Sequence, residues 1–240
     1  ADDSGGKAFE IYAPPTGADP YLLGPARAGA YRTDATYSGR FSVGADLLAW
    51  NATWNQYEGL LFYLTYPGPG TSDGYFAAYS AGYQTLGIAA LVDEQATIVG
   101  SLANGAVVLD PTHTYRLVAS SHDGYTFLFQ LFDKSQPNSP WQSVISQDYT
   151  YSGSNGYSGL MVAEQDYPSA AEGADATFDH YLAAVPTNGA MPATVTDLSP
   201  PPAGKVSGYF LTGSAGIMNR DTSVKPGTIL LYMDGVQIPT

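Results

Sequence analysis

Glu164 and Asp166 are spaced so that they could do chemistry together. Two positions apart on a strand, they share one face and sit about 7 Å from each other at ~3.3 Å per residue. Hydrolysis of a glycosidic bond needs two carboxylates about 5–9 Å apart across a cleft. Pro168 follows closely, so the alternative is a solvated loop after the apolar run Tyr157–Ala163. Asp93 and Glu94 are adjacent, which puts them on opposite faces of a strand or in a turn. Zinc chemistry wants clustered His and Cys. His113, His122 and His180 show no paired spacing, and cysteine is absent. Gly156-Tyr157-Ser158-Gly159 misses the nucleophile-elbow spacing by one residue. No phosphate loop or dinucleotide fingerprint is present.

Aromatic residues offer a second kind of chemistry. Trp50, Trp54 and Tyr57 surround an expected inter-strand loop, while Tyr63 and Tyr75, with Tyr66 and Tyr79, are expected on one sheet face. Sugars stack on such rings, with neighbouring Asn, Gln and Asp taking the hydroxyls. The same residues also build protein interfaces, or simply fill a core.

The elements that must position these residues are strands. From Tyr37 to Gly82 the chain reads as three of them. Phe41, Val43, Ala45, Leu47 and Ala49 alternate with Arg40, Ser42, Gly44, Asp46 and Trp50, the pattern of a half-buried strand. Gly59 to Tyr66 is a nearly continuous apolar run, Pro67 to Gly74 is a loop, and Tyr75 to Ser80 is the next strand. Further strands are expected at Ala8–Ala13, Tyr21–Arg32, Tyr83–Val92, Thr97–Leu102, Tyr115–Ser120, Tyr125–Phe132, Trp141–Gln147, Tyr157–Ala163 and Ala176–Ala184. Asn104-Gly105 signals a hairpin into Ala106–Leu109, and His122-Asp123-Gly124 another. With 27 Gly, 17 Pro and 19 Tyr in 240 residues, strands and turns are favoured over helices. The expectation is an all-β antiparallel sandwich of about ten to twelve strands.

Charge excludes several partners. The chain carries nine Lys plus Arg against 22 Asp plus Glu, a net charge of −13. Phosphate-backbone binding needs basic clusters, so nucleic acid is excluded as a partner, and anionic membrane surfaces are disfavoured for the same reason. No run has the length of a transmembrane helix. The start Ala1-Asp2-Asp3-Ser4 reads as the end left by signal-peptide cleavage or as a cut within a longer chain. With low charge and no Cys, the expectation is a secreted bacterial protein, extracellular or at the cell surface.

Composition shifts at Val185. Residues 1–185 read as the sandwich, 186–204 as a stiff proline-rich linker, and 205–240 as a segment of some three strands. Such a segment cannot bury a core of its own; it packs on the sandwich or awaits strands from another chain.

A resemblance enters on specific residues. Asp46, Leu47, Trp50, Asn55, Gln56, Gly59, Leu60, Leu61, Tyr115-Arg116-Leu117, Gly159, Leu160, Phe178, Asp179 and Tyr181 follow a running pattern similar to the laminin-G/concanavalin-A-like jelly-roll superfamily. The similarity covers roughly residues 8 to 185. Thr228 to Gly235 resembles the start of an immunoglobulin-like module. The superfamily resemblance implies a structural calcium between the first and last strands, with Glu10, Asp175 and Asp179 as candidate ligands. It also implies that glucanases of this kind use three alternating acidic residues, where Glu164-Gln165-Asp166 offers two. The histidine, tyrosine and arginine motifs of its polysaccharide lyases are not found.

Three functions are compatible with these residues. The leading one is a non-catalytic, self-assembling extracellular subunit of a filament, sheath or surface layer, joined through its termini or C-terminal strands. The alternative is a carbohydrate-binding, lectin-like module, and the third a glycan-cleaving enzyme.

Overall fold

The computed structural model describes residues 8–15, 26–121, 123–135, 141–151, 154–165 and 172–184, with four strands beyond them. The chain divides into two compact units, Ala1–Val185 and Pro186–Thr240. The first unit holds β1 (Phe9–Ala13), β2 (Arg27–Tyr31), β3 (Phe41–Trp50), β4 (Gln56–Thr65), β5 (Asp73–Ser80), β6 (Thr85–Val92), β7 (Gln95–Ser101), β8 (Tyr115–Ser121), β9 (Thr126–Asp133), β10 (Gln142–Gln147), β11 (Tyr157–Glu164) and β12 (Ala174–Ala184).

These twelve strands form two six-stranded sheets, β1-β12-β3-β8-β9-β10 and β2-β11-β4-β5-β6-β7. Every pairing is antiparallel. β1 lies against the last strand β12, and the chain changes sheet between β1 and β2, β2 and β3, β3 and β4, β7 and β8, β10 and β11, and β11 and β12. This is a jelly-roll β-sandwich, in which two apolar sheet faces bury each other.

Alternation decides which side chains fill the space between the sheets. Tyr75, Ala77 and Tyr79 of β5 point inward with Leu86, Ile88 and Ala90 of β6. Phe76 and Ala78 point the other way, into a second cluster with Leu61, Leu64 and Leu91. At the centre Phe41, Phe62, Tyr63, Tyr75 and Phe127 pack ring to ring, with Tyr75–Phe127 centroids 4.5 Å apart and Phe62–Tyr75 stacked at 5.3 Å. Aromatic contacts of this kind add about 0.5–1.5 kcal/mol each beyond the area they bury.

Two bulges depart from simple alternation. On β3, Phe178 pairs with Leu47 but Thr177 pairs with Ala49, leaving Leu48 unpaired. One extra residue flips every later side chain to the opposite face, so Trp50 turns inward where strict alternation puts it outside. On β4 the register shifts between Phe62 and Thr65, and Tyr63 adopts φ 53°. That left-handed residue lets two consecutive rings, Phe62 and Tyr63, both enter the core.

The loop after β7 differs from expectation as well. Ala106–Leu109 is not a strand. Gly105 N and Val107 N donate to Tyr83 O and Gln84 O in the neighbouring turn, leaving no ladder to a strand, and Val107 and Leu109 are buried in the core cluster. The β8–β9 hairpin has its expected Asp-Gly tip: Asp123 Oδ1 accepts from Tyr125 N and Thr126 N, with Gly124 at φ 91°. His122 lies outside the described residues.

In the second unit, β13 (Thr194–Ser199) pairs with β14 (Ser214–Met218), and β15 (Leu231–Met233) with β16 (Val236–Ile238). Thr194–Ser199 falls within the stretch expected to be linker. Its Thr-Val-Thr run favours a strand once a partner is supplied. The prolines 186, 192 and 200–202 lie outside the described residues.

Candidate functional site

The expected aromatic surface is not assembled. Tyr63 and Tyr75 are each 0% exposed, so both expectations are corrected: their rings pack against Phe41, Phe62 and Phe127, and no ring face is open to a ligand. Their hydroxyls are held at the core's edge, Tyr63 donating to Gly39 O at 2.6 Å and Tyr75 to Asp148 Oδ1 at 2.5 Å. Burial raises both phenol pKa values above the ordinary range. Trp50 is also corrected, because the Leu48 bulge turns it onto Tyr79 and Tyr115, at 6.2 and 6.1 Å. Trp54 is half-buried in the 51–54 turn, its N–H donating to Asn51 O. Tyr57 packs on the outer face of the second sheet, beside Leu61, Tyr157 and Met161.

The expected calcium ligands do not converge either. Glu10 is exposed on β1 opposite Thr177. Asp175 Oδ1 accepts from Asn51 N, and its backbone is clamped by the Gln56 amide. Asp179 Oδ1 accepts from His180 N, and its other oxygen lies 3.2 Å from His180 Nδ1. Among the described residues no group of three His, Cys, Asp or Glu side chains is arranged to hold a metal ion. Calcium held by this trio is therefore set aside.

Asp179 belongs instead to an ion cluster on the outer face of the first sheet. Buried Asp46 on β3 meets Arg116 of β8 at 3.1 Å, Lys134 after β9 at 3.0 Å and His180 of β12 at 3.0 Å. His180 reaches it through a further irregularity in the β12–β3 pairing, at φ 47°. Asp46, Arg116 and Asp179 are all residues of the running pattern noted in the sequence. Here they pin three strands together.

Glu164 is structural too. Its Oε2 accepts from Ala26 N at 3.1 Å, and its own N–H donates to Ala26 O, so the carboxylate ties β11 to the segment entering β2. Asp166 lies outside the described residues.

A different site emerges on the outer face of the second sheet: a groove of about 510 Å³. Leu61, Leu64, Leu91 and Met161 line one wall, and the loop carrying Pro67, Gly68, Pro69 and Ser72 stands across from them. That loop is closed on itself, Thr71 N donating to Gly68 O and Gly68 N to Ser72 Oγ. Glu94 holds it in place. Asp93 and Glu94 form the left-handed β6–β7 turn, at φ 49° and 63°. Glu94 N donates to Ser72 O, while Glu94 Oε2 accepts from Gly70 N at 2.7 Å. The same oxygen accepts from Arg27 Nε at 2.8 Å and from Arg27 Nη2. Arg27 thus reaches from edge strand β2 to the loop, both side chains remaining partly exposed. Tyr31, 41% exposed, lines the groove as well and leans on Tyr157 at 5.6 Å.

Sequence reasoning placed Asp93-Glu94 in a turn but missed Arg27 and Tyr31 as site residues. One signal for Arg27 was available: it is one of only nine cations in the chain, and a lone Arg in a run of small residues needs a carboxylate partner.

The fold and the groove define an antiparallel jelly-roll sandwich with a ligand-sized depression on one sheet. No protein family matches this chain, and no curated protein sequence does. Among solved structures it is similar to the carbohydrate binding module CBM66 from Bacillus subtilis, at 16% identity and TM-score 0.46 over 74% of this chain and 93% of that one. It is similar to the VIP36 exoplasmic/lumenal domain bound to Ca2+ and Man3GlcNAc, at 7% identity and TM-score 0.49 over 70% and 77%. A Bacillus subtilis protein of unknown function with a galectin-like fold is similar at 12% identity and TM-score 0.42, over 67% and 78%. At these scores no residue or ligand is carried over from them.

Proposed function

We propose that this chain is a non-catalytic module that binds a glycan outside the cell, in the groove of the second sheet. The observation that carries this reading is the Arg27–Glu94 pair standing with Tyr31 on the walls of one concave site. A guanidinium with several donors beside a carboxylate acceptor matches neighbouring sugar hydroxyls, which both donate and accept. The Tyr31 ring supplies an apolar face for a pyranose. Glu94 is the one carboxylate among the described lining residues, whereas glycoside hydrolysis needs two. Binding without cleavage is the chemistry this arrangement supports. The absence of cysteine and the low charge support a place outside the cell.

Screening the purified chain on a glycan array, followed by calorimetry, tests the reading. Tyr31→Ala and Glu94→Gln are each expected to weaken binding about tenfold, the loss of one stacking or charge-assisted contact, while Trp54→Ala leaves it unchanged. Retention of no glycan, or equal loss in Trp54→Ala, would sink it.

Self-association is a second reading, favoured by one observation. Ile98 of β7 is 57% exposed, and Trp141 and Ile145 stand exposed beside and on β10. β7 and β10 end the two sheets on the same side of the sandwich, where Ser146 Oγ donates to Val99 O. Apolar side chains on edge strands invite another copy. Light scattering is expected to show concentration-dependent oligomers that Ile98→Lys abolishes. A monomer at all concentrations would remove this reading.

A further inference from the structure

We infer that the ligand of this groove carries an alkyl or acyl chain: a neutral, acyl-substituted glycan or an alkyl glycoside, with its chain on the aliphatic wall. The inference rests on the glycan reading and names the ligand class more closely. A groove built for sugar rings alone presents aromatic faces and a fringe of hydrogen-bonding groups. Here the lining is aliphatic: Met161 and Pro67, with the exposed edges of the otherwise buried Leu61, Leu64 and Leu91. None of these side chains can hydrogen-bond a hydroxyl, and a buried hydroxyl without a partner is penalised. Methylene groups carry no such penalty and gain from leaving water.

Gly29 keeps the wall open. A Cβ built there would lie 3.2 Å from Leu160 O, 3.6 Å from Leu61 Cδ1 and 3.9 Å from Met161 Cβ, so a side chain at this position covers the aliphatic wall and presses on the β11 backbone. Electrostatics select a neutral occupant. Arg27 and Glu94 compensate each other, and a chain of net charge −13 repels a free fatty acid. The groove's two parts then take the two parts of one amphiphile: Tyr31, Arg27 and Glu94 the sugar, and the leucine wall the chain.

Calorimetry with methyl, butyl and hexyl β-D-glucopyranoside, each below its micellar concentration, tests the inference against hexan-1-ol as a headless control. Affinity is expected to rise about fourfold for each methylene added until the groove is full, and hexyl glucoside is expected to bind more tightly than hexan-1-ol. Gly29→Val should flatten the series by filling the wall. Gly29 is exposed on the edge strand, but its Cβ presses on Leu160 O, so circular dichroism of the variant, and Gly29→Ala as the smaller change, check the fold. An affinity independent of chain length, or no binding across the whole series, would overturn the acyl chain. A flat series with array glycans still retained leaves the glycan reading standing. Equal binding of hexan-1-ol and hexyl glucoside would instead overturn the glycan reading, since no sugar is then being recognised.

Discussion

Glu58→Gln is expected to stabilise the protein at neutral and alkaline pH and to remove a pH dependence that the native chain shows. Glu58 sits on β4, 0% exposed, and among the described residues neither carboxylate oxygen has a hydrogen-bond partner. Leu60 precedes Phe62 on the same inward face, so the carboxyl lies between the sheets, opposite Tyr79 of β5 in register. Burial pushes its pKa well above the ordinary glutamate value, and the nearby Asp175 carboxylate of β12 pushes it further. The neighbouring Tyr79 phenol is raised to about 12, by burial first and then by Glu58. A neutral carboxylic acid inside the fold is thus exchanged for an ionised one on unfolding.

The sign follows from linkage. Below the unfolded glutamate pKa both states hold the proton, and the contribution is fully present. Above it only the folded state does, so stability falls by about 1.4 kcal/mol per pH unit. The fall continues until Glu58 itself ionises. Asp34, Asp110, Asp123, Asp133 and Asp148 are shifted the other way. Their contributions are lost only as pH falls below the ordinary aspartate range, so they do not offset the Glu58 slope between pH 5 and 8. Chemical denaturation of native and Glu58→Gln chains at pH 5, 6.5 and 8 measures it. The gap between them is expected to widen as pH rises above the ordinary glutamate range. A constant gap would mean that Glu58 is ionised in the folded state.

Tyr75→Ala is expected to cost about 3–5 kcal/mol, the range for deleting a fully buried aromatic ring. The ring touches Phe62, Tyr63, Phe127 and Tyr151, and truncation leaves a cavity where four rings met. Tyr75→Phe keeps the ring and loses the hydroxyl that donates to Asp148 and accepts from Tyr151 N, a loss of about 1–2 kcal/mol. Urea denaturation of the two variants measures both costs, and glycan affinity of Tyr75→Phe should equal that of the native chain. A Tyr75→Ala chain with native stability and lost ligand binding would show instead that this ring is a contact surface.

The two residues differ in how openly the sequence announces them. Tyr75 belongs to Tyr75-Phe76-Ala77-Ala78-Tyr79, apolar on both faces, so alternation identifies a strand but does not say which face turns inward. Glu58 is a charged residue just ahead of an apolar run and reads as the end of a loop. Only the pairing of β4 with both β5 and β11 carries the strand back to Gln56 and takes that carboxyl into the interior.

The sequence by itself determined the fold class and most of its strands, because alternation, turn residues and the scarcity of long helix formers are local signals that pack the same way in any sandwich. Its net charge of −13 disfavours polyanionic partners, and that sum is one folding leaves unchanged. Tertiary structure decided the rest. A single unpaired residue at Leu48 reversed Trp50, and a left-handed Tyr63 brought two consecutive rings inside; the first is set by pairing with the distant β12 and the second by β5 and β11 on either side of β4, which alternation along one strand does not report. The groove needed Arg27 and Glu94, 67 positions apart, to meet over leucines whose outward direction follows from register alone. Sites of this kind are made by long-range pairing, and the pairing exists only once the sheets have closed on each other.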